Sequence, residues 1–175
     1  LDPAATVIKL KLAGPPVVDP NQFLLQPQPD GRYVLTAHDC DISGAAARLE
    51  TTDNIQDVGY WTTLTDTVSW NVAVPPAQAG RYKVSLEFAC IPASAGGQYA
   101  VVTSPTPAPE GEKRENAITG TVESTGDWDK YQTVDLDGTL MLSGSRATIR
   151  VVPRTMPALG IMNLRKIVLT PVNTR

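Results

Sequence analysis

The feature that most constrains this chain is the alternation across residues 66–90, DTVSWNVAVPPAQAGRYKVSLEFAC. Val68, Trp70, Val72 and Val74 fall on one side of an extended chain, and Thr67, Ser69, Asn71 and Ala73 on the other. Tyr82, Val84, Leu86, Phe88 and Cys90 then alternate with Arg81, Lys83, Ser85, Glu87 and Ala89. Successive strand side chains point to opposite faces, so this pattern predicts two half-buried strands. Pro75 and Pro76 between them stop ladder pairing, and Gly80 permits a positive φ before the second strand begins. We read a long antiparallel pair whose apolar face needs a second layer to cover it. The expected fold is therefore all-β, a two-sheet antiparallel β-sandwich built on this pair.

The rest of the chain is consistent with that class. Its 175 residues suit one domain with a proper core, and 15 prolines with 13 glycines favour short strands and turns over helices. Further strands are expected over residues 33–37, 47–50, 98–103, 118–122, 131–136, 140–142, 146–152 and 167–169. About ten short strands separated by turn signals form a sandwich or jelly-roll pattern. Residues 53–57 read as a polar loop leading to Val58-Gly59-Tyr60-Trp61. Residues 104–116, SPTPAPEGEKREN, carry nothing to bury and read as a loop dispensable for folding.

Residues 6–12, TVIKLKL, alternate Ile8, Leu10 and Leu12 with Lys9 and Lys11, as an edge strand would. Five prolines follow within residues 13–31. The expected organisation is thus an N-terminal strand with a Pro-rich linker or strap over 1–30, and the sandwich over 31–175. The chain starts at Leu1 in mature-looking sequence and reads as an excised or processed piece of a longer protein.

A formal charge of −3 leaves no electrostatic footprint for nucleic acid or an anionic membrane, and no run of about 18 apolar residues is present to span a bilayer. The two cysteines, Cys40 and Cys90, make no disulfide framework and are either two buried thiols or one bridge. The chain has one histidine, His38, without a GxSxG elbow or similar context, so an esterase or lyase built on it is the least favoured reading. Asp127 and Asp129 flank Trp128 in a Gly-led turn, where acids are ordinary turn formers rather than a glycosidase pair.

Aromatic residues in loops remain. Trp128 lies outside any alternating run, and the adjacent Tyr60 and Trp61 must face opposite ways in extended chain. A flat aromatic stacks on the apolar CH face of a sugar ring while polar neighbours read its hydroxyls. The other use of such residues is to plug the ends of the sandwich.

The order of segments resembles the family 6 carbohydrate-binding modules and their galactose-binding-like relatives. YVLTAHDCDISG resembles the first strand, and NIQDVGYWTTLTDTVSWNVAVP the Gly-Tyr…Asp…aromatic pair. AGRYKVSLEFAC, STGDWDKYQTVDL, SGSRATIRVVP and MNLRKIVLTP resemble the remaining blocks in order, the last being a closing strand that opens with an Asn. The start, DPAATVIKLKLAGPPVV, is similar to the C-terminal edge of family 29 α-L-fucosidase-like hydrolases.

The resemblance implies a sugar held between Tyr60, or Trp61 in its place, and Trp128, with Asn163 bonding to it; to these we add Asp127, beside Asn163, as a reader of hydroxyls. It also implies a structural calcium, but Thr36 and His38, in Thr36-Ala37-His38, and Arg165 stand where that ion's carboxylates belong. The expectation is no cofactor and no calcium at that position, with Asp39, Asp41, Asp53 and Asp57 as the alternative set. The expected function is non-catalytic carbohydrate binding. The chain would be a monomeric accessory module of an extracellular or periplasmic glycan-degrading enzyme, with a glycan as ligand and a catalytic domain in the same parent chain. The alternative is a structural or domain-interaction sandwich.

Overall fold

The structure is a computed structural model that describes residues 9, 11, 13–15, 23–106 and 116–172. The strand expected over residues 6–12, and most of the loop expected over 104–116, fall outside the described residues. The strand that leads into that loop, however, continues through Thr106.

Twelve strands and three three-residue 3₁₀ turns make up the described fold. The strands are β1 (Tyr33–Thr36), β2 (Asp41–Ser43), β3 (Arg48–Thr52), β4 (Ile55–Gly59), β5 (Thr67–Ala73), β6 (Gly80–Ala89), β7 (Gln98–Thr106), β8 (Asn116–Thr121), β9 (Gln132–Asp135), β10 (Leu140–Leu142), β11 (Arg146–Thr155) and β12 (Asn163–Pro171). They form two antiparallel sheets. One runs β2-β5-β11-β7-β8; the other runs β10-β6-β12-β4-β3, with β1 also paired to β12 and β9 to β6. The fold is the two-sheet sandwich that the alternation predicts.

The central pair differs from expectation in an instructive way. β5 and β6 are not hydrogen-bonded to each other; they lie in opposite sheets. The link contains Pro75 and the 3₁₀ turn Pro76–Gln78, which cannot close a two-residue hairpin and instead carries the chain across the sandwich. The apolar faces of both strands still end up inward. Val68, Trp70, Val72, Tyr82, Val84, Leu86 and Phe88 are all buried in one core. Each strand was read with the correct face, and the two faces cover each other. Buried polar tips are satisfied: Trp70 Nε1 donates to Thr36 O at 2.7 Å, and Tyr33 Oη donates to Ala73 O at 2.7 Å.

Two smaller departures concern the β3–β4 turn and the chain before β1. Asp53 and Asn54 have φ of 50° and 64°, a type I′ hairpin turn that joins β3 to β4 with full pairing where a polar loop was expected. Leu25 exchanges backbone hydrogen bonds with Asn71 and Ala73 at 2.9 and 3.0 Å and packs against the core, so the chain before β1 is bridged to β5. Cys40 and Cys90 are both free thiols. The Cys40 Sγ donates to Ala37 O, and burial, then the charge of Asp41, pushes that thiol up to about 11.

Candidate functional site

A cleft of about 360 Å³ opens at one edge of the sandwich, between three loop segments. The first follows β4. Tyr60 has φ of 52°, a left-handed conformation that is uncommon for a bulky residue and marks stored strain. This reversal turns Tyr60 outward, 52% exposed, and Trp61 inward, 1% exposed. The two aromatics therefore do face opposite ways, but through a local backbone reversal rather than strand alternation. Trp61 donates its Nε1 hydrogen to Asp66 O at 3.0 Å. Its ring is packed into the core, and Trp61 also contributes to the cleft lining beneath the outward Tyr60.

Asp66 anchors this segment. Its carboxylate is fully buried and accepts from the amides of Ala45, Ala46 and Ala47 at 3.1, 2.9 and 2.7 Å, and from the Thr63 hydroxyl at 2.7 Å. Burial opposes the charge, but the Ala47 amide, the Thr63 hydroxyl and the other two amides outweigh it and hold the carboxyl at about 2.

The second segment is the turn carrying Trp128. Thr125 Oγ1 accepts the Cys90 amide at 2.8 Å, fixing the turn to β6. Asp127 Oδ1 accepts the amide of Trp128 at 2.8 Å. Asp127 thus shapes the turn and is not among the residues that line the cleft. Trp128 is half-buried and packs against the core, so it is neither a fully solvated platform nor a complete plug. The third segment is Leu159-Gly160-Ile161-Met162. Ile161 donates its amide to Trp61 O at 3.0 Å, and a Cβ at Gly160 would come into van der Waals contact with the Trp128 ring at 3.6 Å.

Tyr60, Trp128 and Asn163 come together around this one cleft. Asn163 opens β12 and donates Nδ2 to Trp128 O at 3.1 Å, which leaves its Oδ1 free to accept. Arg48 places its guanidinium 3.5 Å from the Tyr60 ring centroid, a cation–π contact that holds the ring and covers one of its faces.

Sequence reasoning missed Glu50, which also lines the cleft. The space it uses is made by Gly59: a Cβ there would lie 2.1 Å from Glu50 Oε2 and 3.3 Å from Asn163 Oδ1. The only sequence signal was a Gly before Tyr60, which carries no information about a residue nine positions upstream until the β3–β4 register is known. Burial, then the neighbouring Asp57 charge, raises the Glu50 carboxyl above its ordinary value.

No protein-family model and no curated protein sequence matches the chain. Solved structures do. A family 35 carbohydrate-binding module from Clostridium thermocellum is 18% identical with a TM-score of 0.58, over 81% of this chain and 98% of that one. A family 6 carbohydrate-binding module from Cellvibrio mixtus lichenase 5A, solved with cellotriose, is 21% identical with a TM-score of 0.56, over 80% of this chain and 97% of that one. The Podospora anserina GH26-CBM35 β-(1,4)-mannanase is 19% identical with a TM-score of 0.58, over 83% of this chain and 29% of that one. The chain has the fold of the family 6 and family 35 carbohydrate-binding modules.

The calcium implied by that family does not fit the residues at its place. Thr36 donates its hydroxyl to Asp39 at 2.6 Å, and its strand partner is Lys166. Arg165 and Lys166 both bind Glu87, at 2.7 and 2.5 Å, so two cations stand where a hard cation would need oxygen anions. The alternative acids are engaged separately: Asp39 with Thr36, Asp41 with Asn71, Asp57 with Tyr131, and Asp53 in the hairpin turn. We expect a chelator to leave the melting temperature unchanged; a drop of several degrees that calcium reverses would overturn this assignment. His38 is exposed on the 3₁₀ turn Ala37–Asp39, away from the cleft lining.

Proposed function

We propose that this chain is a non-catalytic carbohydrate-binding module. The observation that carries the reading is the cleft itself: an outward Tyr60 and a half-buried Trp128 wall a polar floor of Glu50 and Asn163. A sugar ring would stack its CH face on the aromatics while its hydroxyls donate to Glu50 and Asn163 Oδ1. The solved structures of the same fold support the reading, since they are carbohydrate-binding modules, one of them holding cellotriose. Affinity should be modest, with Kd from roughly micromolar to millimolar, because few atoms are buried and a mobile glycan must be ordered.

The module would serve a secreted, glycan-degrading parent enzyme by raising its effective concentration on the polymer. The similarity of residues 2–18 to the edge of family 29 α-L-fucosidase-like hydrolases supports such a parent. In this organisation residues 1–30 are an N-terminal strand and Pro-rich linker or strap, tied to the sandwich at Leu25, and 31–175 are the module. A broad glycan array followed by affinity gels tests the reading, and failure to retain any glycan would overturn it. Leu159, 89% exposed at the cleft rim, favours one alternative, a sandwich whose rim packs on a neighbouring domain.

Gly59→Ala provides a sharper check of the floor. Gly59 has an ordinary φ, so the glycine is needed for space rather than backbone freedom. The added methyl meets the flexible end of Glu50 first, so the fold should persist while the carboxylate is displaced. Loss of one charged hydrogen bond should weaken glycan binding about tenfold or more. Unchanged titrations with an intact melting curve would show that Glu50 takes no part.

A further inference from the structure

Glu50 is the one charged side chain among the residues that line the cleft. Directly opposite it in the β3–β4 ladder is Asp57. Asp57 is 4% exposed; its Oδ2 accepts the Tyr131 hydroxyl at 2.5 Å, and its Oδ1 has no partner among the described residues. Two carboxylates therefore stand side by side, Glu50 in the floor and Asp57 behind it. Of the neighbouring cations, Arg48 lies over the Tyr60 ring and offsets part of the charge on Glu50, while Arg165 and Lys166 are bound to Glu87. Asp127 and Asp129 flank Trp128 on the opposite wall. No lysine, arginine or histidine is among the lining residues to receive an anionic ligand.

We propose that the cleft selects uncharged sugars and excludes uronate and sulfate-bearing ones, with Glu50 as the residue that decides. This rests on the carbohydrate-binding reading. A carboxylate can only accept, so Glu50 suits a ring that presents hydroxyl donors. A second carboxylate brought within about 6–12 Å in a half-desolvated cleft is repelled by Glu50 and, behind it, by Asp57. At an effective dielectric near 20 this lowers affinity about 10- to 100-fold relative to the neutral counterpart. Burial already raises the carboxyls of both Glu50 and Asp57, so further negative charge is poorly tolerated there.

The test uses calorimetric titration with matched oligosaccharide pairs: galactose against galacturonate, mannose against mannuronate, and glucose against glucuronate. We expect the wild type to bind at least one neutral member and to bind its uronate partner about 10- to 100-fold more weakly. Glu50→Gln should bring that ratio to within about threefold, since the amide keeps an acceptor but removes the charge. Glu123→Gln, an exposed site outside the cleft, should leave the ratio as in the wild type. Melting curves confirm that each variant is folded. Equal or tighter uronate binding by the wild type, or an unchanged ratio in Glu50→Gln, overturns the proposal while leaving carbohydrate binding intact. Retention of neither class overturns the binding reading and this inference with it.

Discussion

Replacing Asp66 by alanine is expected to destabilise the chain by about 2–4 kcal/mol, the largest loss we anticipate from a single change outside the apolar core. The carboxylate accepts from three consecutive amides and one hydroxyl, so its removal strands a set of donors rather than one. An unsatisfied donor costs about 1–3 kcal/mol when buried, and Ala45–Ala47 lie near enough to the surface for water to recover part of that. For a domain of this size the change lowers Tm by roughly 5–15 °C. The acid limb gives an independent check. The folded carboxyl sits at about 2, below its unfolded value near ~3.9. Its stabilisation is therefore present above about pH 4 and lost as pH falls toward 2. The stability gap between wild type and Asp66→Ala should narrow across that window. A gap independent of pH there would show that the charge is not what holds the loop.

The second large effect is on binding. Trp128→Ala should abolish measurable glycan retention, because truncating a central aromatic costs a few kcal/mol and a millimolar-to-micromolar starting affinity has little to lose. Its cost in stability should be about 1–2 kcal/mol. Trp128 is half-buried against the core, so the loss falls below the about 3–5 kcal/mol expected for a fully buried aromatic. Affinity gels and thermal melts on the same preparation separate the outcomes. Binding lost with cooperative unfolding retained supports the module. Loss of folding supports a rim that exists to pack. Asn163→Ala is the companion, expected to weaken binding and also to loosen the turn, since its Nδ2 holds Trp128 O.

How far the sequence reaches is clearest in β5 and β6. A period of two is a property of one strand, and it assigned the core-facing side chains in both, although Glu87 and Ala89 on the other face of β6 are buried as well. Which strand each one pairs with is not a local property. The alternation is the same whether two strands sit side by side or face to face, so their separation into opposite sheets came only from the fold. The same division holds at the cleft. Tyr60, Trp128 and Asn163 stood out as residues of suitable chemistry in loop-edge positions, and the structure brings them together. Trp61 could not be told from Tyr60 because the deciding fact is a positive φ at one residue, which no pattern of side chains announces. Glu50 was invisible because its place depends on a cross-strand register and on empty space above Gly59. Asp66, one acid among many in the sequence, became an anchor only when residues 45–47 were folded against it. Hydrophobic periodicity thus determined the class of fold and the inner faces of its strands, because burial acts on each segment alone. Pairing, cavity shape and hydrogen-bond convergence join residues far apart in the chain, and those were decided by tertiary structure.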